Sequence, residues 1–279
     1  MNKAAHPKPP RDDEISDKKM PLLDHLIELR SRLLKSLIAF VLGFIVCFHF
    51  AEPIFGFLVE PLARIMQEIG GSQRMIYTAL TEAFFTYVKV GLFGALLLSF
   101  PVFATQIWLF VAPGLYKNEK KAFLPFLIAS PILFVLGCAI VYYLVIPLAW
   151  TFLLGFQTTS AETVLPIQLE AKVGEYLDLL MKLVFAFGLC FQMPVLLVLL
   201  VRVGLLQAQS LVDKRRYAIV ATFIVAAILT PPDVISQIGL ALPILLLYEI
   251  SIIAARLVER SRQRAEAAGQ NDDFQGPAP

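Results

Sequence analysis

Leu22, Leu23, Leu26, Leu29 and Leu33 recur at spacings of three and four along Met20 to Leu34, while Asp24, Glu28, Arg32 and Lys35 occupy the other side. This is the pattern of an amphipathic helix lying at an interface. After Ser36 the chain is apolar through Phe48, so the helix feeds an apolar run. A bilayer core about 30 Å thick needs about 20 helical residues, and six runs of that kind occur, at about 33–51, 83–113, 122–147, 176–203, 217–230 and 236–255. They predict an all-α polytopic membrane protein with six transmembrane helices, the last two short. The third run continues through Leu148 to Phe156, so it tilts, bends at Pro147 or projects from the bilayer. The fifth, 14 residues long, reaches only about 21 Å. There the bilayer thins or a partner covers the mismatch. Between the first two runs, Phe55, Leu58, Val59, Leu62, Ile65, Met66 and Ile69 recur at helical spacing. They predict one or two amphipathic cap helices on the outer face, broken near Pro61.

Charge orients these spans. Lys and Arg crowd the N-terminal flank, the loop after span two (Lys117, Lys120, Lys121), the loop after span four (Lys214, Arg215, Arg216) and the C-terminal flank (Arg256, Arg260, Arg262, Arg264). The alternate loops are mostly acidic, so the positive-inside rule puts both termini in the cytoplasm. Composition agrees: 58% hydrophobic residues, 16% charged and a mean hydropathy of +0.72 are too apolar for a soluble domain. Residues 1–19, with Pro7, Pro9, Pro10 and a mixed charge run, are expected to be a disordered cytoplasmic tail and not a signal peptide. Residues 20–256 form the membrane domain, and 257–279 a polar cytoplasmic tail.

Several functions are excluded. A net charge of +2 argues for no nucleic-acid partner. Cys47, Cys138 and Cys190 lie inside apolar runs, suggesting neither a disulfide framework nor a metal site. No Walker A loop, G-x-S-x-G or H-E-x-x-H occurs, so neither enzyme chemistry nor a cofactor is expected.

Polar groups inside spans are costly, about 2.5 to 3.5 kcal/mol for Lys or Asp at a helix centre. Lys89 and Lys182 are near enough to the outer ends to snorkel. Glu249 pairs with Arg256 or reaches cytoplasmic water. Gln192, just before Pro194 and close to mid-membrane, faces protein or a wet cavity, because an unpaired amide in hydrocarbon costs roughly 2 to 7 kcal/mol. In the loop after span two, Pro113 and Gly114 end the helix, and Glu119 is a lone acid on a basic face. Glu28 and Glu119 together suggest a cation-binding surface on the cytoplasmic side.

The residues that carry a family resemblance are His25-Leu-Ile-Glu-Leu-Arg30-Ser-Arg-Leu33, Pro101 with Gln106-x-Trp-x-Phe-x-Ala-Pro-x-Leu-Tyr-Lys117, Glu119-Lys-Lys121, Phe187-Gly-x-x-Phe191 and Leu229-Thr-Pro-Pro-Asp-Val-x-Ser-Gln237. Over roughly Met20 to Arg256 the chain resembles TatC, the receptor subunit of the twin-arginine protein translocase. The resemblance implies export of folded proteins across the bacterial plasma membrane, driven by the proton-motive force. Implied partners are twin-arginine signal peptides, TatA- and TatB-type single-span subunits and other copies of the chain, all within the lipid bilayer. By motif, Glu28, Arg30, Phe110, Glu119, Lys120 and Lys121 match the family's signal-binding patch. Thr230, Pro231, Pro232, Asp233 and Gln237 match its outer turn beside a partner helix. Gln192 falls where the family often has glutamate, and an amide cannot relay a proton. Two rivals are a six-span secondary transporter of a small solute, which would show paired repeats and central ionisable groups, and a purely structural scaffold.

Overall fold

The computed structural model describes residues 12–69, 74–111, 120–158, 169–230 and 234–274. Its helices are α1 (Asp12–His49), α2 (Ala51–Ile69), α3 (Glu82–Val111), α4 (Lys120–Ile140), α5 (Ile146–Leu154), α6 (Val173–Cys190), α7 (Met193–Arg202), α8 (Ala208–Asp213), α9 (Arg215–Leu229) and α10 (Val234–Phe274), with a π-turn (Val141–Val145) joining α4 to α5. Five stretches are long and apolar enough to cross a membrane: His25–His49, Glu82–Phe110, Leu124–Leu154, Val173–Arg202 and Val234–Ser261. With its 15 residues, α9 reaches about 22 Å, short of a bilayer core, as its run of apolar residues foretold. Polar backbone groups in lipid must be satisfied within the fold, which is why helix carries nearly all of the chain.

Packing follows the small residues. α1 lies against α3, where a Cβ added at Gly91 would stand 3.2 Å from Phe48 Cα and one at Gly94 3.1 Å from Cys47 Cβ. α4 meets α6 still more closely: a Cβ at Gly188 would lie 2.5 Å from the Phe134 ring, and one at Gly137 2.9 Å from the Phe187 carbonyl oxygen. Lipid tails are as apolar as leucine, so close backbone approach and van der Waals contact drive such packing. The buried core runs through Leu62, Val90, Val141, Ile146, Leu180, Phe187 and Leu240. Leucines and isoleucines of α1, from Leu33 to Ile45, stay exposed, as suits a lipid-facing helix.

The molecule has two unlike ends. At the end here called basic, the start of α1 meets the end of α3, and Arg202 at the end of α7 stands 5.9 Å from the centre of the Phe126 ring in α4. At the opposite, cap end, α2 covers the bundle, and β1 (Met75–Ile76) pairs in parallel with β2 (Ala171–Lys172). Arg74 and Glu170, at 3.0 Å, clasp the same two loops. Glu82 opens α3 by accepting from Thr78 N at 2.8 Å and also takes Gly174 N, at 3.2 Å, from the first turn of α6. One carboxylate thus ties the turn before α3 to the first turn of α6.

The structure departs from the sequence expectations at the prolines. α2 is one helix, unbroken at Pro61. Proline has no N–H to offer the carbonyl four residues back, and the Tyr142 hydroxyl donates to that oxygen, of Phe57, at 2.5 Å. The Tyr176 hydroxyl donates to the neighbouring Leu58 oxygen at 2.9 Å. Tyrosines from other helices thus fill the gap. Before Pro147 the third span neither ends nor simply tilts: Ile146 N–H reaches five residues back to the Val141 oxygen, and the widened turn admits the proline. The fourth span divides into α6 and α7 around Phe191 and Gln192, with Pro194 in the first turn of α7.

Both tails also differ from expectation. α1 takes in residues 12–19, where acids precede bases as the helix dipole prefers. Residues 1–11 lie outside the described residues. The last span is not short: α10 continues past Ala255 to Phe274 through a stretch rich in Ala, Glu, Gln and Arg, all good helix formers.

Candidate functional site at the basic end

The first half of the expected site is built by α1 and α3. The His25 ring stacks on Phe110, with centroids 4.3 Å apart and planes 17° from parallel. This contact fixes the turn of α1 at His25 beside the end of α3. One turn further along α1, Arg32 Nε donates to Glu28 Oε1 at 3.0 Å, and its second contact goes to that same oxygen. Glu28 Oε2 takes no hydrogen bond or ion pair among the described residues, and the side chain is 34% exposed. A carboxylate so held is oriented yet retains acceptor capacity for a second guanidinium. Arg30 is exposed on the adjacent face and is not part of this pair.

The second half is only partly in view. Glu119 lies outside the described residues, and α4 begins at Lys120 and Lys121 without their side chains being described. Because α4 starts at the basic end, Lys120 and Lys121 share that end with Glu28 and Phe110.

At mid-membrane, Gln192 is fully engaged. Its Nε2 donates to the Ser130 carbonyl oxygen at 2.9 Å, and the Ser130 hydroxyl donates back to Gln192 Oε1. The amide thereby ties the α6–α7 break to α4. The site faces protein, as the cost of an unpaired amide requires.

Towards the cap end, Lys89 does not simply snorkel. Its Nζ contacts both oxygens of Asp178 at 2.8 and 2.9 Å, joining α3 to α6. Asp178 was missed in the sequence, although Lys89 and Asp178 lie at similar depths, seven residues after Glu82 and five after Val173. Lys182 Nζ donates to the Ile228 oxygen at 3.1 Å, in the last turn of α9, where a cation suits the helix dipole. Glu249 pairs with Arg215 at 2.7 Å and not with Arg256, which is two turns, about 10 Å, further along the helix.

Of the expected partner-contact residues, Pro231, Pro232 and Asp233 lie outside the described residues. Thr230 is buried and donates to the Ala226 oxygen at 2.9 Å. Gln237 Nε2 reaches the Phe223 oxygen at 3.3 Å, bracing α10 against α9. Among the described residues no group of three or more His, Cys, Asp or Glu could hold a metal.

These features define a multi-pass helical membrane protein whose mid-membrane polar groups bind its own helices together and whose open chemistry lies at its ends. The chain matches the family described as Sec-independent protein translocase protein (TatC) over residues 24–243. It is 51% identical over 252 residues to the Sec-independent protein translocase protein TatC of Magnetococcus marinus, covering 90% of each chain. To the TatC of Rickettsia prowazekii it is 45% identical, covering 86% of this chain and 94% of the relative. A crystal structure of the twin-arginine translocase receptor TatC superposes with a TM-score of 0.72 at 39% identity, covering 84% of this chain and 99% of that one. The chain belongs to the TatC family and is a component of a twin-arginine translocation system. Nothing in these comparisons supports a small-solute transporter.

Proposed function

We propose that this chain is the receptor of a twin-arginine translocase: it binds the signal peptides of folded precursor proteins at its basic end and organises the translocon for export driven by the proton-motive force. The observation that carries the reading is the His25–Phe110 stack, which sets Glu28, with one oxygen open, beside the end of α3 from which the loop to Glu119 departs. The two signal arginines are then shared between Glu28 and Glu119, because a guanidinium favours forked pairing with carboxylates. Arg30, Lys120 and Lys121 belong to the same basic end of the chain. Exposed pairs give only about 0.2 to 1 kcal/mol each, so the apolar part of the signal, lying against the exposed leucines of α1, supplies much of the affinity.

The chain sits in a bacterial inner membrane with both termini cytoplasmic, as the distribution of Lys and Arg supports. The turn at Thr230 to Gln237 and the short α9 are where a TatA- or TatB-type single-span helix covers the mismatch, and further copies of the chain complete the assembly. Site-specific crosslinking of a twin-arginine signal peptide to positions in 20–35 and 110–121, in membranes, tests the reading. Crosslinks at both segments are expected. Unchanged crosslinking and export after Glu119→Lys would overturn the assignment of the patch.

A further inference from the structure

The cap end holds a cleft that the translocase reading does not use. Between α2 and the α4–α5 junction lies a cavity of about 260 Å³ lined by Glu60, Arg64, Glu68, Tyr142, Tyr143 and Thr151. Glu60, Arg64 and Glu68 are four residues apart in turn, so they form one charged row along α2, negative, positive, negative. Arg64 gives one N–H to Glu60 at 2.5 Å and remains 72% exposed, which leaves donors of its guanidinium free. Glu68 is exposed and has no ion-pair partner among the described residues.

The floor and wall are set by the π-turn. Tyr142 is held down by its bond to the Phe57 oxygen and by stacking on the Phe57 ring at 4.4 Å. Tyr143, 70% exposed, stands edge-on to Tyr142 at 4.8 Å and looks outward. Depth identifies the surroundings. Tyr143 is 19 residues beyond Leu124, where the apolar stretch begins, about 28 Å along a helix. The hydrocarbon core is about 30 Å thick, so the cleft opens at the boundary between hydrocarbon and headgroups on the cap side, where an exposed tyrosine is at home.

We propose that this cleft binds the headgroup of a zwitterionic phospholipid that carries a primary ammonium, of the phosphatidylethanolamine type. Arg64 takes the phosphate, while Glu68 accepts from the ammonium, which also lies over the Tyr143 ring. The row of charges selects this headgroup. An anionic lipid brings no cation for the two carboxylates, and a choline headgroup has no N–H to donate to Glu68.

The test uses the full chain in nanodiscs containing phosphatidylethanolamine, phosphatidylcholine and phosphatidylglycerol in equal parts, with the lipids retained after detergent extraction counted by native mass spectrometry. Retention of phosphatidylethanolamine over phosphatidylcholine by roughly two- to fivefold is expected, the range an exposed ion pair supplies. Glu68→Gln should erase that preference, and Arg64→Gln should lower retention of both lipids. Both side chains are exposed, and an unchanged circular dichroism spectrum confirms that each variant folds. Equal or greater retention of phosphatidylglycerol, or a preference that survives Glu68→Gln, overturns the proposal. Displacement of the lipid by millimolar inorganic phosphate would instead assign the cleft to a free anion, and likewise overturns it.

Discussion

The α4–α6 junction and the basic end treat polar groups in opposite ways. At the junction, Gln192 and Ser130 satisfy each other across two helices, with Phe134 and Gly188 packed so closely that no Cβ fits between them. At the basic end, Glu28 is steadied by Arg32 alone among the described residues and stays partly exposed, while the His25–Phe110 stack sets the two helices side by side there. Where lipid excludes water, an unmet polar group is expensive, and at this junction the fold pairs both groups. At the water boundary an open carboxylate costs little, and the fold can leave it ready for a partner. In the proposed reading, stability at the junction and recognition at the basic end are thus separated by depth.

Substitutions can break that separation or sharpen it. The largest effect is expected for Gly188→Ala, whose new methyl meets the Phe134 ring. Overpacking of this kind costs about 1 to 3 kcal/mol, read as a lower thermal midpoint in detergent, with signal-peptide crosslinking unchanged in the fraction that remains folded. Gln192→Leu is expected to lose about 1 to 2 kcal/mol, because the Ser130 groups lose their partner. If that variant is as stable as the parent, the amide is not the tie described. Tyr142→Phe should cost about 1 kcal/mol by leaving the Phe57 carbonyl unmet beside Pro61, again with no change in binding. Glu119→Ala should do the reverse: an unchanged melting profile and signal-peptide binding weakened by up to about fivefold. The smallest effect belongs to Arg32→Gln, about 0.3 to 0.5 kcal/mol for a helical pair, with Glu28 still able to bind but less well oriented. A loss of stability in the Glu119 variant, or of binding in the Gly188 variant, would show that depth does not divide the two roles.

Much of this organisation was legible in the sequence, since spans, the cap helix and the charge asymmetry depend on periodicity and composition within single segments. The short α9 was visible as a run too brief for the bilayer. What escaped depends on groups far apart in the chain. Pro61 reads as a break until Tyr142 arrives from another element to serve the orphaned Phe57 carbonyl, with Tyr176 bonding its neighbour at Leu58. Asp178 reads as one more charge near a helix start until α3 sets Lys89 opposite it. Glu249 chooses Arg215 because α9 packs beside α10, which spacing along one helix cannot reveal. Of the candidate site, Glu28 could be read as a boundary charge and Phe110 came only through the family resemblance, while the part His25 plays beside Phe110 required the crossing of α1 and α3.

The π-turn has a consequence for how this chain can vary. One extra residue in a helical turn rotates everything after it by about 100° relative to an unbroken helix. Removing a residue from Val141–Val145 would restore an ordinary helix, and it would also swing the following face round. Trp150 and Leu154, now buried, would turn toward lipid, and the cleft wall at Thr151 would leave its place. Length changes that surface loops absorb without trouble are therefore barred at this point, and the spacing between Tyr142 and Trp150 is as much a constraint on the chain as the identity of either residue.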